Sequence, residues 1–273
     1  MFSMLKNFFS GVLIGASMLL PGVSGGTTAI IVGIYDSILQ AAGSFFKNPK
    51  RNFLFLLNVG LGMCLGAAAF AGIALELCNS YAVQSSFLFV GAILGSIPTL
   101  LRRSGIKGSN KKTVLLGVLF AFLGFAAGLS VCFMPSGVFS LTDSSLLSKI
   151  LLIPCGVAIS AAVILPGIST SHVLLILGLY ESVLSAIANR AVLSLALLLS
   201  GVIIGSAALT SIMDKCMKKF TVQSYLAISG FVAASVFSVF PKGAEINKIP
   251  LYIFIVLSGF VLSSLLGRSA AKK

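Results

Sequence analysis

The 273-residue sequence contains few charges and few of the residues that build soluble catalytic sites. It has no tryptophan, one histidine and six acidic residues, and only 9% of its residues are charged. A soluble domain carries about a quarter charged residues, so this composition excludes an ordinary water-soluble fold. Strands that alternate polar and apolar residues, which a membrane β-barrel requires, are not visible either.

Cysteines are also few, and their spacing excludes the common cysteine-based sites. The five form no CxxC pair and no Cys/His pair, and their number is odd: Cys64, Cys78, Cys132, Cys155 and Cys216. We interpret them as small apolar core residues. The sequence therefore predicts no cofactor, no metal site and no disulfide framework.

Apolar residues make up 58% of the chain, and the mean hydropathy is +1.10. They form runs of about 20 residues, the length that crosses a hydrocarbon core of roughly 30 Å as a helix. This pattern predicts an all-α polytopic membrane protein. The expected segments are 5–20, 27–42, 53–77, 83–101, 113–134, 147–165, 172–188, 191–213, 224–240 and 251–267.

An internal repeat organises these segments. Residues 11–39 align with residues 156–184 without gaps at an offset of 145, and a later stretch aligns at an offset of 139. The repeat predicts two units, residues 1–135 and 150–273, that together form one transmembrane domain. The matched pairs include Pro21 with Pro166, Gly22 with Gly167, Ser24 with Ser169, Gly33 with Gly178, Tyr35 with Tyr180, and Gly62-x-x-x-Gly66 with Gly201-x-x-x-Gly205.

Each unit reads as a re-entrant or discontinuous helix pair followed by three transmembrane helices. A pair that returns to its own side, followed by three crossings, ends on the opposite side, so the second repeat is predicted to be inverted. With the N-terminus inside, the inner segments hold fifteen of the nineteen basic residues, in agreement with the positive-inside rule. Both termini are therefore predicted to be cytoplasmic. Because the basic residues lie between apolar runs and form no stripe, no nucleic-acid partner is predicted.

The most specific features are two Pro-Gly-x-Ser breaks inside apolar segments. Backbone that leaves helical geometry inside a membrane exposes N–H groups, and a helix N-terminus attracts anions. We predict a shared phosphate site, where Gly25 and Gly26 let the phosphate approach the main chain closely. In the alternative, the Ser and Thr hydroxyls only satisfy the broken backbone. The candidates are Pro21, Gly22, Ser24, Gly25, Gly26, Thr27, Thr28, Pro166, Gly167, Ser169, Thr170, Ser171 and His172.

Three ionisable residues are candidates for proton coupling, one at the second break and two at the far ends of the segments that follow the breaks. These are His172, the only histidine, and Asp36 and Glu181, which occupy matching positions of the repeat. Ionisable groups inside a membrane often serve transport. The alternatives are that His172 is a structural hydrogen-bond donor and that both carboxylates are hydrogen-bonded near the membrane surfaces. The Gly-x-x-x-Gly pairs predict tight helix packing.

The two motifs LPGVSGGTTAIIVGIYD and ILPGISTSHVLLILGLYE resemble the paired signatures of a bacterial membrane family, the PopT-type polyprenyl-phosphate translocases. The resemblance covers nearly the whole chain. It implies that undecaprenyl phosphate is flipped back to the cytoplasmic leaflet of the cytoplasmic membrane for reuse in cell-wall synthesis. The second motif has Thr170-Ser171-His172 where the first has Gly25-Gly26-Thr27, so symmetric phosphate contacts are not expected.

Two alternative functions remain open from the sequence. Polyprenyl-diphosphate phosphatases also have inverted repeats with Ser-rich membrane breaks, but phosphoryl transfer needs carboxylates and an arginine that converge on the phosphate. A transporter of small soluble anions would differ in not requiring the isoprenoid tail. The expected partners are the polyprenyl-phosphate lipid and membrane lipids, and the sequence predicts no oligomeric state.

Overall fold

The computed structural model describes residues 2–18, 24–135, 146–180, 182–183, 186, 191–241 and 243–271, and the regular structure in these ranges is helical. Short 3₁₀ turns lie at Phe45–Lys47, Ile106–Gly108 and Ile246–Lys248. The α-helices are α1 (Phe2–Met18), α2 (Gly25–Val32), α3 (Tyr35–Gly43), α4 (Pro49–Ser80), α5 (Ala82–Arg103), α6 (Lys111–Cys132), α7 (Leu146–Ile164), α8 (Thr170–Ile176), α9 (Val192–Lys219), α10 (Thr221–Val239) and α11 (Ile249–Ala271).

Six of the described helices are long and apolar enough to cross a membrane. They are α4, α5 and α6 after the first break, and α9, α10 and α11 after the second. Many of their large apolar side chains are exposed, as lipid-facing residues must be, including Leu115, Phe122 and Phe254. The prediction of three long helices after each break is confirmed, and the chain is a multi-pass membrane protein.

The segments that follow the breaks are shorter than predicted. Residues 27–42 were expected to form one helix, but α2 ends at Val32 and α3 begins at Tyr35. Gly33 caps α2 with φ of +83°, and Gly178 follows α8 with φ of +69°. This left-handed conformation favours glycine and ends a helix. The prediction of unbroken helices over 27–42 and 172–188 was therefore wrong.

The long helices pack across the boundary between the two repeats. Helix α5 lies along α11 and α6 lies along α10, while α1 packs on α4 and α7 packs on α9. Half of the α5 span and 44% of the α10 span are buried, against 11–17% of the other four spans. Helices α5 and α10 therefore form the centre of the molecule, and the other four face lipid.

Glycines permit the closest of these helix contacts. A Cβ atom at Gly62 of α4 would overlap the Phe8 carbonyl oxygen of α1, and one at Gly201 of α9 would overlap the Ile153 carbonyl oxygen of α7. Small residues let membrane helices approach until their backbones touch. The two matched Gly-x-x-x-Gly pairs thus make equivalent helix contacts in the two halves, and the predicted packing role is confirmed.

Helix α2 lies in the protein interior. It contacts α1, α5, α7 and α11, and its residues Ala29, Ile30 and Ile31 are buried. A short helix made only of small and apolar residues can occupy such a position, because its interior backbone groups bond within the helix. The first residues of α2, which follow the first break, are thereby held against the second half of the chain.

Candidate functional site at the two membrane breaks

The two breaks contact each other. A Cβ atom built on Gly26, in the first turn of α2, would lie 3.1 Å from the Cα atom and 3.3 Å from the nitrogen of Pro166. Pro166 follows α7 in the second break and is buried. The residues that the sequence predicts on both sides of one site therefore meet in the structure at this contact.

Ser24 precedes α2 in an extended conformation, with φ of −89° and ψ of +133°. This is the position from which a serine normally accepts a bond from an N–H of the first helical turn, but its side chain makes no such bond. The Ser24 Oγ atom is buried and has no hydrogen-bond partner among the described residues. Leaving a buried hydroxyl unpaired costs about 1–3 kcal/mol, so a ligand that pairs with it would recover that energy.

The backbone beside Ser24 offers further donors. The first intrahelical bond of α2 runs from the Thr28 N–H to the Ser24 carbonyl, with a length of 3.1 Å. The N–H groups of Gly25, Gly26 and Thr27 come before it, at positions that have no partner within a helix. Together with the positive end of the helix dipole, these groups favour an anion at the start of α2.

Thr28 has a structural role, unlike Ser24. Its hydroxyl lies 2.8 Å from the Ser17 hydroxyl of α1, and the Ser17 hydroxyl donates to the Ile14 carbonyl at 2.8 Å. The Thr28 hydroxyl also lies 3.4 Å from the Ser24 carbonyl oxygen, so it stands between the Ser17 hydroxyl and the backbone at the start of α2. The side chain of Thr28 therefore joins α1 to α2. This role resembles the alternative given above, in which the Ser and Thr hydroxyls near the breaks only satisfy backbone groups.

The glycines of the first break are explained by packing. A Cβ atom at Gly25 would meet the Met18 sulfur at 2.8 Å, and the Cβ direction of Gly26 faces Pro166. The sequence predicts that these glycines leave room for a phosphate. In the structure, the room that their missing side chains leave is filled by α1 and by the second break.

The second break contains a glycine in a left-handed backbone conformation, directly after Pro166. Gly167 has φ of +91°, and its Cβ direction faces Phe231 and Val232 of α10. Ser169 then precedes α8 in an extended conformation, with no capping bond from its side chain, and Thr170 is the first helical residue. The second break thus enters its helix as the first does, through an extended serine whose side chain makes no capping bond.

The His172 side chain joins α8 to α6 by a hydrogen bond. Its Nε2 atom lies 3.0 Å from the carbonyl oxygen of Val131. A carbonyl oxygen can only accept, so Nε2 carries the proton and donates it. This geometry matches the interpretation of His172 as a structural donor, and it leaves Nδ1 for any second role.

Tyr35 provides a further link between the breaks that the sequence did not reveal. Its hydroxyl donates to the carbonyl of Ile164, the last residue of α7, at 2.8 Å. The last four carbonyls of a helix have no partner within it, so this bond satisfies one of them. The repeated Gly-x-Tyr motif marked Tyr35 as unusual, but nothing local indicated its partner 129 residues away.

Asp36 belongs to a cluster of charges away from the breaks. Arg103 Nη1 lies 2.9 Å from one carboxylate oxygen, and the Tyr225 hydroxyl lies 2.9 Å from both. A cavity of about 320 Å³ adjoins them, lined also by the ion pair of Asp214 and Lys218. The Asp36 side chain is 49% exposed, so it is a paired carboxylate at a surface. Arg103 and Tyr225 were not predicted from the sequence.

Comparison with known proteins shows the family of this chain. Residues 14–251 match the model of the undecaprenyl phosphate translocase-like family. A polyprenyl-phosphate transporter of Staphylococcus aureus is 32% identical over 278 residues, covering 97% of both chains. One from Vibrio cholerae is 29% identical over 251 residues, covering 87% of this chain and 78% of the relative. The chain belongs to the undecaprenyl phosphate translocase-like family. No solved structure matches it.

Family membership confirms the resemblance that the paired motifs indicate. Three of the predicted site residues, Pro21, Gly22 and Glu181, lie outside the described residues, and nothing is described of the Ser171 side chain. Among the described candidates, Ser24, Gly26 and Pro166 lie together at the contact between the breaks. Asp36 lies in the separate charged cluster.

Proposed function

We propose that this chain translocates polyprenyl phosphate, in particular undecaprenyl phosphate, across the bacterial cytoplasmic membrane. The observation that carries the proposal is the buried hydroxyl of Ser24 at the start of α2, against the second break, which has no hydrogen-bond partner among the described residues. The family match and the names of both relatives support the same substrate.

The phosphate headgroup binds where α2 begins. Its oxygens accept from the Ser24 hydroxyl and from the N–H groups of Gly25, Gly26 and Thr27, which replace the water that the phosphate loses. In a low-dielectric interior such charge-assisted bonds are about twice as strong as neutral ones. The isoprenoid tail needs no polar path and remains in lipid. Ser169, Thr170, Ser171 and His172 provide the second, less symmetric side of the site.

The two repeats give this site access to both leaflets in turn. We propose that the second repeat is inverted, that both termini are cytoplasmic, and that the lipid returns to the cytoplasmic leaflet for reuse. Inverted repeats place a substrate site at their interface and expose it alternately as one repeat moves against the other. The contact of Gly26 with Pro166 joins the two repeats at this position.

A carrier fits these residues better than a phosphatase. Asp36 is the carboxylate that follows the first break. Its carboxylate bonds to Arg103 and Tyr225, and neither of these residues belongs to a break. Both relatives are named transporters. We therefore propose a lipid carrier without a chemical step, whose need for the isoprenoid tail separates it from a transporter of small soluble anions.

Proton coupling is part of the proposal. Moving a charged headgroup through the membrane centre costs about 2.5–3.5 kcal/mol on the mildest insertion scale, so a co-transported proton lowers the barrier. His172 and Glu181 are the first candidates and Asp36 is the third. Of these, His172 stands in the first turn of α8, beside the second break.

The test compares two buried serines. Ser24→Ala should weaken undecaprenyl phosphate binding by about tenfold or more, the value of one lost charge-assisted bond. Ser96→Ala is the matched control, since Ser96 is fully buried but its hydroxyl is paired with the Ile93 carbonyl. Equilibrium binding to the purified proteins, with uncharged undecaprenol as a second ligand, provides the measurement. Equal affinities of both variants for the phosphate would contradict the proposed headgroup site.

A further inference from the structure

A groove between α6 and α10 extends from one end of these helices to the second break. Its wall from α6 consists of Leu116, Phe120 and Gly124, and its deep end is formed by Pro166 and Phe231. The groove encloses about 340 Å³, and Gln223 and Ser224 are its only polar lining residues among those described. We call it the α6–α10 groove.

The groove is open toward the bilayer. Three residues that line its outer part are exposed: Leu116 and Phe120 of the lipid-facing helix α6 are 44% and 39% exposed, and Phe220, between α9 and α10, is 48% exposed. Leu116 and Gly124 are eight positions apart on α6, which corresponds to roughly 12 Å along the helix axis. One leaflet contributes about 15 Å of hydrocarbon. The groove therefore has the depth of one leaflet and ends where the breaks meet.

The mouth of the groove is cationic. Lys219 lies over the ring of Phe220, with its Nζ atom 5.3 Å from the ring centroid, and Lys111 and Lys112 begin α6 one turn before Leu116. Asp214, the acidic residue nearest in sequence to the α9 lining residues, is paired with Lys218. A lysine at such a position attracts an anionic headgroup at the membrane surface.

We infer that the α6–α10 groove holds the first isoprene units of a polyprenyl phosphate standing in the inner leaflet, with its phosphate at the lysines of the mouth. An apolar channel of one leaflet's depth beneath a cluster of cations is complementary to an anionic lipid with a long, uncharged chain. The deep end of the groove shares Pro166 with the site at the breaks. A lipid bound in the groove is therefore at the start of the transport path, on its cytoplasmic side. The inference rests on the proposed function and on its topology.

The first test fills the groove. Ser224→Phe places a ring among its apolar residues, and Ser258→Phe makes the same change on the exposed face of α11, outside the groove. Excluding about two methylene groups from contact corresponds to about a tenfold loss of affinity. Ser224→Phe should therefore bind undecaprenyl phosphate about tenfold more weakly than the wild type does, and it should bind inorganic phosphate, which has no isoprene chain, with unchanged affinity. Ser258→Phe should match the wild type for both ligands.

Each outcome has a defined meaning. If the wild type does not bind undecaprenyl phosphate, the proposed function fails. If it binds undecaprenyl phosphate and Ser224→Phe binds it equally well, or loses both ligands equally, the groove inference alone is overturned. A competition assay identifies the occupant: phosphatidylglycerol in excess should not displace undecaprenyl phosphate from the wild type. Equal displacement would show that the groove holds ordinary phospholipid, contrary to the inference.

Discussion

At the scale of single residues, two hydroxyls near the breaks differ in their environment. Tyr35 donates to the Ile164 carbonyl, so it joins the first half of the chain to the end of α7. Ser24 is equally buried but has no partner in the described part of the chain. Folded proteins pair most of their buried polar groups, so the unpaired Ser24 hydroxyl is the observation from which we propose the headgroup site.

Tyr35→Phe should destabilise the protein. The substitution leaves the Ile164 carbonyl without its donor, which costs about 1–3 kcal/mol for a buried group. Thermal unfolding of the detergent-solubilised protein measures the effect. The control is Tyr81→Phe, since Tyr81 is 52% exposed. Identical unfolding temperatures for the two variants would mean that the bond to α7 contributes nothing.

His172→Gln should separate the two roles of the histidine. Glutamine can still donate to the Val131 carbonyl, so the variant should fold normally, but it cannot carry a proton. We expect flipping by reconstituted His172→Gln to lose its response to an imposed pH gradient, while His172→Leu should also lose stability because it lacks the donor. A wild-type pH response in His172→Gln would remove His172 from the coupling mechanism.

At the scale of helices, much of the structure follows from sequence patterns. The six long spans could be predicted because the length of an apolar run sets whether a helix crosses the bilayer. The interruption at Gly33 could not, because apolar residues continue on both sides of it. The bonds of Asp36 to Arg103 and Tyr225 join positions 67 and 189 residues apart, so only tertiary packing reveals them.

The glycine contacts allow a matched test within one helix. Gly62 of α4 packs against the Phe8 backbone, while Gly60, two positions earlier, has nothing within 4 Å of its Cβ direction. Gly62→Ala should destabilise the protein by about 1–3 kcal/mol, as overpacking usually does. Gly60→Ala should be neutral or stabilising by up to about 1 kcal/mol, because alanine favours the helix.

The unfolding midpoint of each variant in detergent provides the comparison. Gly201→Ala in α9 should behave like Gly62→Ala, since it makes the equivalent contact with α7. Equal midpoints for Gly60→Ala and Gly62→Ala would show that the close packing of α1 on α4 does not limit stability.

At the scale of the whole molecule, the two halves exchange equivalent contacts. In the repeat, α5 corresponds to α10 and α6 to α11, so the pairing of α5 with α11 is the counterpart of the pairing of α10 with α6. This exchange is expected when two similar units are related by a two-fold axis, whether the repeats are inverted or parallel. Because these interfaces are shared, neither half would bury its long helices alone.

Sidedness of two exposed positions tests the inversion. Lys107→Cys and Glu245→Cys, each in a cysteine-free background, lie in exposed turns after α5 and α10. These helices are equivalent in the repeat, so inversion predicts that a membrane-impermeant maleimide labels Lys107→Cys from the cytoplasm and Glu245→Cys from outside. Labelling of both from the same side would contradict inverted repeats.

Flipping by the purified protein tests the central claim most directly. Proteoliposomes are loaded with a fluorescent polyprenyl phosphate, and a membrane-impermeant quencher reports the fraction in the outer leaflet over time. The wild type should equilibrate the lipid between leaflets faster than protein-free liposomes, and Ser24→Ala should be slower than Ser96→Ala. A wild-type rate equal to that of protein-free liposomes, with and without a pH gradient, would contradict the assignment of this chain as a polyprenyl-phosphate translocase.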